Sequence, residues 1–267
     1  MQELPHELYR AEQVRELDRT AIEQCGIQGY TLMERAGEAA YALLRERWPD
    51  ARRIAVLCGT GNNGGDGFVV ARLARRDGLD VHILQVGERE RIGGAAAQAC
   101  EAARSAGVPW VDYGGSDLHG HDLLVDALLG TGLHGEVSGH WRRAIAAMNG
   151  IAAPSLALDI PSGLAADTGA VLGEAVQAAV TVTFIGLKQG LFTGEGPGCC
   201  GEIRFDNLGV PTDTYAAAAA SAHLMAEVDF ASSLAPRPRT AHKGHYGHVL
   251  VVGGEQSYAG AARMAAE

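Results

Sequence analysis

From Ile54 onwards, short apolar runs alternate along the chain with amphipathic segments. The apolar runs, rich in Val, Leu and Ile, predict strands over 54–57, 81–86, 108–112, 122–127, 155–160, 180–185 and 202–205. Apolar residues at helical spacing predict helices from Asp66, over 93–106 and over 138–149. Strands that alternate with helices indicate a Rossmann-like, doubly wound α/β fold, with a mostly parallel sheet covered on both faces.

Two further amphipathic segments, over 9–25 and 31–48, precede the first strand. Their apolar stripes, such as Val14, Leu17 and Ile22, predict two leading helices that cover the sheet. Thr31 and Glu34 fit a capping box at the start of the second helix. A surplus apolar face on these helices would serve as a dimer contact, and we therefore expect a homo-oligomer.

The C-terminal part of the chain departs from this alternation. Residues 214–235 are alanine-rich and predict a helix, and a linker is expected over 216–241. Val249–Val252 then resembles a new strand that ends in glycines, with a helix opening near 258. One strand and part of a helix cannot bury a core, so we expect a first domain over 1–215 and the opening of a second over 242–267.

Composition excludes several classes of function. The 267 residues carry a net charge of −10 with no long basic run, which disfavours a nucleic-acid partner. No apolar run approaches membrane-spanning length, and the N-terminus lacks the hydrophobic region of a signal peptide. Five cysteines in such a chain are expected to be reduced thiols, which indicates a cytoplasmic protein.

The most informative loop is GTGNNGGDG, between the strand at 54–57 and the helix predicted from Asp66. Gly59, Gly61 and Gly64 fit the dinucleotide fingerprint G-x-G-x-x-G, but Asp80 precedes the second strand instead of ending it. Asp66 also places a carboxylate where a pyrophosphate would lie, and suits an N-cap or a cation better. A plain glycine turn would not need two asparagines and an aspartate, so we expect a binding loop.

Three later loops place polar residues and glycines at the same ends of their strands. They are DALLGTGL from Asp126, DIPSGL from Asp159 and GLKQG around Lys188. Each aspartate alone is as consistent with a structural cap as with function. Because the carboxyl ends of parallel strands share one edge, Asn63, Asp126, Asp159, Ser162 and Lys188 together predict a site there.

These four motifs, in this order, resemble those of the NAD(P)H-hydrate epimerases, the YjeF N-terminal domain family, over roughly residues 10–215. The tail HKGHYGHVLVVGG, followed by YAGAA, resembles the start of an ADP-dependent NAD(P)H-hydrate dehydratase of ribokinase-like fold. That second resemblance covers about thirty residues and lacks the later glycine–aspartate loop of the nucleotide site. ADP or ATP would serve only this second part, and we expect no dehydratase activity from this chain.

The resemblance implies roles for individual residues. Potassium ligands would be Asn63, Asp126 and Ser162, whose oxygens suit a hard cation. Substrate contacts would come from Asn62, Asn63, Gly64, Gly65, Asp66, Gly130, Thr131, Gly132, Leu133, His134, Gly135, Glu136, Asp159 and, in the dehydratase-like tail, Ala261.

The implied reaction interconverts the S and R forms of hydrated NADH or NADPH, in which a ring carbon next to nitrogen carries a hydroxyl group. No hydride acceptor is needed. One group must move a proton while another stabilises transient charge; Asp159 is the candidate acid–base group, and Lys188 a weaker candidate as proton donor or phosphate contact. Water loss and ring opening both remain possible as the chemical path.

Two alternatives compete with an epimerase. A non-catalytic dimerising or nucleotide-binding module of the same fold would not require Asn63, Asp126, Asp159 and Ser162 together. A NAD(P)-dependent dehydrogenase is disfavoured by the positions of Asp80 and Asp66.

Overall fold

The computed structural model describes residues 4–115, 118–226, 238–245, 247–254 and 260–267. The chain divides into two units, Met1–Leu224 and Met225–Glu267, which are described separately. No helix in the described segments has the length and apolar character needed to cross a bilayer.

The first unit contains the predicted alternation of strands and helices. Its strands, β1 to β10 in chain order, are Glu7–Tyr9, Arg53–Cys58, Asp80–Gln85, Trp110–Asp112, Leu123–Ala127, Ser155–Leu158, Val180–Phe184, Leu187–Lys188, Glu202–Asp206 and Ala222–His223. Its helices, α1 to α6, are Ala11–Glu23, Gly29–Arg47, Asn62–Arg76, Gly94–Ser105, Gly139–Asn149 and Gly196–Cys199.

The main sheet has seven strands in the order β4-β3-β2-β5-β6-β7-β9, and every neighbouring pair is parallel. The order runs outward in both directions from the β2–β5 pair, as in a doubly wound fold. The predicted fold of this unit is therefore confirmed. The crevice beyond the carboxyl ends of β2 and β5 is the topological switch point, where ligands bind in such sheets.

Both faces of the sheet are buried, as the unbroken apolar runs predict. In β2, Ile54, Val56 and Cys58 join the core formed with α1 to α4, whereas Ala55 and Leu57 join the core formed with α5. This alternation within a continuous apolar strand places helices on both faces, with the carboxyl-end loops between them.

The glycine-rich segment differs from its prediction, because α3 begins at Asn62 and not at Asp66. Gly61 is its N-cap residue, so Asp66 lies in the second turn and is not a cap. The glycines within the helix allow close packing: an added Cβ at Gly65 would lie 2.4 Å from the Met33 sulfur, and one at Gly67 would lie 2.5 Å from the Ala127 Cβ. This close packing offsets the poor helix propensity of glycine.

Gly59 joins β2 to the glycine-rich segment and has no room for a side chain. An added Cβ would lie 1.9 Å from the Leu128 carbonyl oxygen, which is backbone and cannot rotate away. We expect Gly59→Ala to lower the free energy of unfolding by about 3 kcal/mol or more, measured by urea denaturation. Gly114→Ala, where an added Cβ meets nothing within 4 Å, is the control, and equal stability of the two variants would contradict the account.

The capping box predicted at Thr31 and Glu34 is not formed. Helix α2 begins at Gly29 with Gln28 as its N-cap, and no side chain caps it. Thr31 therefore lies inside the first turn, where its side chain cannot serve as the N-cap acceptor.

The alanine-rich helix predicted over 214–235 is wrong for the residues described. Thr212–Ala217 forms a 3-10 turn, and Ala222–His223 forms the antiparallel strand β10 beside β1. The backbone N–H of Ser221 donates to the Leu8 carbonyl, so pairing with the N-terminal strand replaces helical hydrogen bonds. Residues 227–235 of this prediction, and residues 227–237 of the predicted linker over 216–241, lie outside the described residues.

Within the second unit, Lys243–His245 forms a 3-10 turn and Gly260–Ala266 forms helix α7. The strand predicted at Val249–Val252 is not formed, and Val249 is 90% exposed. The predicted domain boundaries, and the ribokinase-like character of this tail, stay predictions.

Candidate functional site at the carboxyl ends of the strands

A cavity of about 1000 Å³ opens at the switch point of the main sheet. Its walls come from α1, the starts of α2 and α3, the loop 128–134 after β5, and the ends of β6 and β7. The cavity contains Asn63, Asp66, Asp159 and Lys188. The loops that sequence reasoning placed on one rim therefore meet in one concave site.

Asp159 and Lys188 form a buried ion pair on the floor of this cavity. The Lys188 side chain is 1% exposed, and its ammonium group also donates to Thr183 Oγ1 at 3.0 Å and to the Phe184 carbonyl at 2.9 Å. All three ammonium protons have acceptors, so the charge is held in one place. Lys188 itself belongs to β8, a two-residue strand that pairs with β1, and not to a loop as predicted.

The backbone aims Asp159 into the cavity. Asp159 has a φ of 67°, a left-handed conformation that is uncommon outside glycine. Its N–H donates to the Val182 carbonyl at 2.7 Å, which holds this residue against the neighbouring strand. The carboxylate thus leaves the sheet at a fixed angle toward Lys188.

Asp126 and Ser162 lie together behind the cavity wall, and both are fully buried. One Asp126 oxygen accepts from Ser162 Oγ at 2.5 Å, and the other accepts from the Ser162 N–H at 2.7 Å. The Leu129 N–H donates to Ser162 Oγ at 2.8 Å. Burial raises the pKa of Asp126 to about 6, and these hydrogen bonds only partly offset it. The pair therefore fixes the start of the loop 128–134.

Asn63 has a buried side-chain amide, and neither its oxygen nor its nitrogen has a hydrogen-bond partner. An unpaired buried amide costs free energy unless something else binds it. An added Cβ at Gly130 would lie 3.4 Å from the Asn63 Cβ, so the two loops touch here. An unused amide oxygen beside oxygen-rich loops fits a hard cation such as potassium.

The described residues hold no cluster of three or more His, Cys, Asp or Glu side chains placed for a metal ion. A cation near Asn63 would therefore depend on amide, hydroxyl and carbonyl oxygens together with Asp126. Such a ligand set suits a weakly held alkali ion better than zinc.

Two more carboxyl groups, those of Asp66 and Asp18, line the cavity and interact electrostatically with Asp159 and Lys188. Burial, followed by the charges of Asp159 and Asp18, raises the pKa of Asp66 well above its usual range, and Lys188 opposes this. Burial also raises the pKa of Asp18 to about 6, with Lys188 lowering it and Asp159 raising it. Among the described residues that line the cavity, one ammonium group thus faces three carboxyl groups, and the raised pKa of Asp66 favours its uncharged form.

The structure places the predicted substrate contacts in different parts of the chain. Those that line the cavity are Asn62, Asn63, Asp66, Gly130, Thr131, Gly132, Leu133, His134 and Asp159. Gly64 and Gly65 lie behind the wall instead: an added Cβ at Gly64 would lie 2.2 Å from the Gly59 carbonyl oxygen. Gly135 and Glu136 are exposed beyond the loop. Ala261 belongs to α7 in the second unit.

Sequence reasoning missed Asp18, because α1 was expected only to cover the sheet. Val14, Asp18 and Ile22 are spaced four residues apart, and all three line the cavity. A carboxylate between the apolar positions Val14 and Ile22 was the signal available in the sequence. Arg15, Arg91 and Trp141 also line the cavity, and no sequence motif singled them out.

Comparisons with known proteins agree with this architecture. The family YjeF-related protein N-terminus matches residues 29–190. The chain is 48% identical to a bifunctional NAD(P)H-hydrate repair enzyme Nnr of Coxiella burnetii, over 97% of this chain and 53% of the relative. It is 41% identical to the Escherichia coli protein of the same name, over 99% of this chain and 51% of the relative. The chain thus spans about half the length of these curated relatives.

The crystal structure of yeast ynu0 superimposes with a TM-score of 0.68 at 20% identity, covering 78% of this chain and 91% of the yeast chain. At this identity the likeness concerns the fold alone. The family match extends from α2 to the Lys188 segment and so includes the loops after β2, β5, β6 and β7. On that match, the chain belongs to the YjeF-related protein N-terminus family.

Proposed function

We propose that this chain interconverts the two epimers of hydrated NADH or NADPH. The observation that carries the proposal is the buried Asp159–Lys188 pair on the floor of the switch-point cavity. The printed names of the Coxiella burnetii and Escherichia coli relatives refer to repair of the same hydrates. Epimerisation requires proton transfer to or from the hydroxyl group on one ring carbon and no redox partner, and this site supplies ionisable groups at a fixed position.

Asp159 and Lys188 have different roles in this proposal. Asp159 is the acid–base group that exchanges a proton with the substrate hydroxyl. Lys188 holds the Asp159 carboxylate in place through a direct ion pair, and its own orientation is fixed by Thr183 and the Phe184 carbonyl. Lys188 is thus chiefly a positioning residue, and a direct phosphate contact is less consistent with its complete set of acceptors.

The start of α3 suits the phosphates of the substrate. Gly61, Asn62 and Asn63 line the cavity, and the first N–H groups of this helix have no intrahelical acceptor. The sequence-based objection, that Asp66 would repel a phosphate there, is weakened because Asp66 lies one turn further on and burial raises its pKa, which favours the uncharged form.

Potassium is the proposed cofactor, held by Asn63, Asp126 and Ser162. Support comes from the unpaired Asn63 amide and from Asp126, a buried carboxyl group with no cationic neighbour among its hydrogen-bond partners. A bound cation would add positive charge near an anionic substrate. The chain's own residues would hold the loops after β2, β5 and β6 around it.

Potassium should stabilise the protein, because a ligand that binds only the folded state raises the melting temperature. We expect a rise of about 2–4 °C in potassium chloride relative to tetramethylammonium chloride at equal ionic strength. The rise should be smaller at pH 5.5 than at pH 7.5, because protonated Asp126 is a poorer ligand.

Asp126→Asn should abolish the potassium-dependent rise, whereas Asp213→Asn, at an exposed position, should retain it. The measurement is a thermal melt of each variant in both salts. Equal melting temperatures in the two salts for the parent chain would remove potassium from the account.

The function is tested by incubating the chain with one purified epimer of the hydrate and no second nucleotide. Chromatographic separation should show the other epimer forming, with no change in the amount of reduced cofactor. A change in redox state would favour a dehydrogenase. No conversion above the uncatalysed background would favour a binding module of the same fold.

The proposed oligomeric state, location and partners rest on the sequence. A homo-oligomer, a cytoplasmic location and the lack of a nucleic-acid or membrane partner are proposed on the sequence grounds given above. The role of Ala261 as a substrate contact, and the use of ADP or ATP, are proposed only for a dehydratase activity, on the sequence resemblance given above.

A further inference from the structure

Asp18 is the one carboxyl group on the α1 side of the cavity among the residues described, and its position has no structural explanation. It is half-buried, four residues from both Val14 and Ile22, and these two apolar residues and Arg15 of the same helix also line the cavity. Within the described residues, no hydrogen bond or ion pair engages its carboxyl group. A carboxyl group taken out of water without a partner destabilises a fold, so a structural role does not account for it.

Asp18 and Asp159 approach the same space from different elements. Asp18 comes from α1, and Asp159 comes from the end of β6, and both line the cavity. Their environments differ, because Lys188 binds the Asp159 carboxylate directly whereas Asp18 feels Lys188 only through space. Two carboxyl groups held in unlike environments are the arrangement in which one serves as an acid and the other as a base.

We propose that Asp18 is the second proton-transfer group of the epimerisation and serves the face of the substrate ring opposite to Asp159. This inference rests on the proposed function. Inverting a carbinol carbon by water loss and re-addition requires proton transfer on both faces of the ring, and Asp159 alone can serve only one face.

The step balances with two carboxyl groups. Asp18 donates its proton to the substrate hydroxyl, the carbon–oxygen bond breaks, and water leaves with the bonding electrons while the ring-nitrogen lone pair forms a carbon–nitrogen double bond. Water on the other face then adds to the same carbon, the double-bond pair returns to nitrogen, and the extra proton passes to the Asp159 carboxylate. The reverse conversion uses the same two groups with their roles exchanged.

The assignment predicts a specific pH dependence of the activity. Burial raises the pKa of Asp18 to about 6, so Asp18 loses the proton that it would donate as the pH rises through that value. The other charged or titratable groups lining the cavity are Arg15, Asp66, Arg91, His134 and Lys188. kcat/KM should therefore fall about tenfold per pH unit above pH 6, and this limb should disappear in Asp18→Asn.

The raised pKa of Asp18 also predicts the direction in which the stability of the protein changes with pH. Between about pH 4 and pH 6, folded Asp18 keeps a proton that the unfolded chain has lost, so stability falls as the pH rises through this window. Asp18→Asn removes this penalty. Its melting temperature should exceed that of the parent chain by about 3 °C at pH 7.5, with the difference shrinking toward zero near pH 4.

The experiment compares the parent chain, Asp18→Asn, Asp18→Glu and Glu12→Gln, in which the exposed Glu12 of α1 is a matched control for charge. Asp18→Asn should lower kcat at least about 100-fold with little change in KM, Asp18→Glu should restore part of it, and Glu12→Gln should retain the parent rate. In water enriched in oxygen-18, the parent should incorporate the label at the rate of epimerisation.

The outcomes separate this inference from the proposed function. If the parent chain epimerises the hydrate and Asp18→Asn does so at an equal rate, Asp18 is not a proton donor and only this inference fails. An unchanged pH limb in Asp18→Asn, or a lower melting temperature for it at pH 7.5 together with its lower activity, would assign a structural role instead. If the parent chain does not epimerise the hydrate, both proposals fail.

Discussion

Asp159→Asn is expected to lower the rate of epimerisation at least about 100-fold while the protein stays folded. Asparagine adopts the left-handed conformation of this residue more readily than most residues. Its amide oxygen can still accept a hydrogen bond from Lys188, but it cannot exchange a proton with the substrate. The loss should therefore fall on kcat, measured with each epimer as substrate.

Thermal melts decide between catalysis and structure for this variant. A loss of about 1–2 kcal/mol is expected, because the Lys188 ammonium loses a charged partner in a largely buried site. Asp159→Ala, which is strained at a φ of 67° and removes the acceptor, should be clearly less stable. An unchanged rate in a folded Asp159→Asn protein would remove Asp159 from the mechanism.

Lys188→Met is expected to reduce both activity and stability. The substitution preserves the apolar stem but removes the ammonium group that satisfies Asp159, Thr183 and the Phe184 carbonyl. Breaking a buried ion pair leaves the other charge unpaired. Because the Asp159 side chain is 17% exposed, water recovers part of this cost, and we expect a loss of about 2–3 kcal/mol with a fall of about 100-fold in kcat.

A double variant identifies the source of that loss. Lys188→Met combined with Asp159→Asn contains no unpaired carboxylate, so it should be more stable than Lys188→Met alone, yet equally inactive. Urea denaturation of the four proteins measures the coupling energy between the two residues. Additive effects on stability would show that the ion pair has no energetic role.

The main sheet could be predicted because burial on both faces requires nearly continuous apolar strands, and these are visible as runs such as 54–57 and 180–185. Parallel connections then require that the polar residues after each strand lie at one edge. This reasoning predicted, without knowledge of the tertiary contacts, that Asn63 and Asp159 lie at one edge of the sheet. Both residues line the same cavity.

The errors have a common physical cause, which is tertiary packing that overrides local propensity. Glycines at 64, 65 and 67 are poor helix formers, yet α3 includes them because neighbouring helices and strands approach too closely for any side chain. The alanine-rich run near 216–221 favours a helix, but the edge of β1 recruits the following residues as β10.

The electrostatics of the site were also beyond local reasoning. The Lys188–Asp159 pair joins residues 29 positions apart, and β1 fixes Lys188 from the other end of the domain. Asp18 was visible only as a charge on an apolar stripe. Whether such a residue faces a cavity or the solvent depends on how α1 packs, which no local pattern specifies.

The most direct test of the central claim is a crystal structure of Asp159→Asn with the hydrate bound. The account predicts that the hydroxylated ring carbon lies in the switch-point cavity, with its hydroxyl within hydrogen-bond distance of residue 159 or Asp18, and that a phosphate contacts the backbone at residues 61–63. Binding elsewhere on the surface, or binding with the ring outside the cavity and away from both aspartates, would contradict the account.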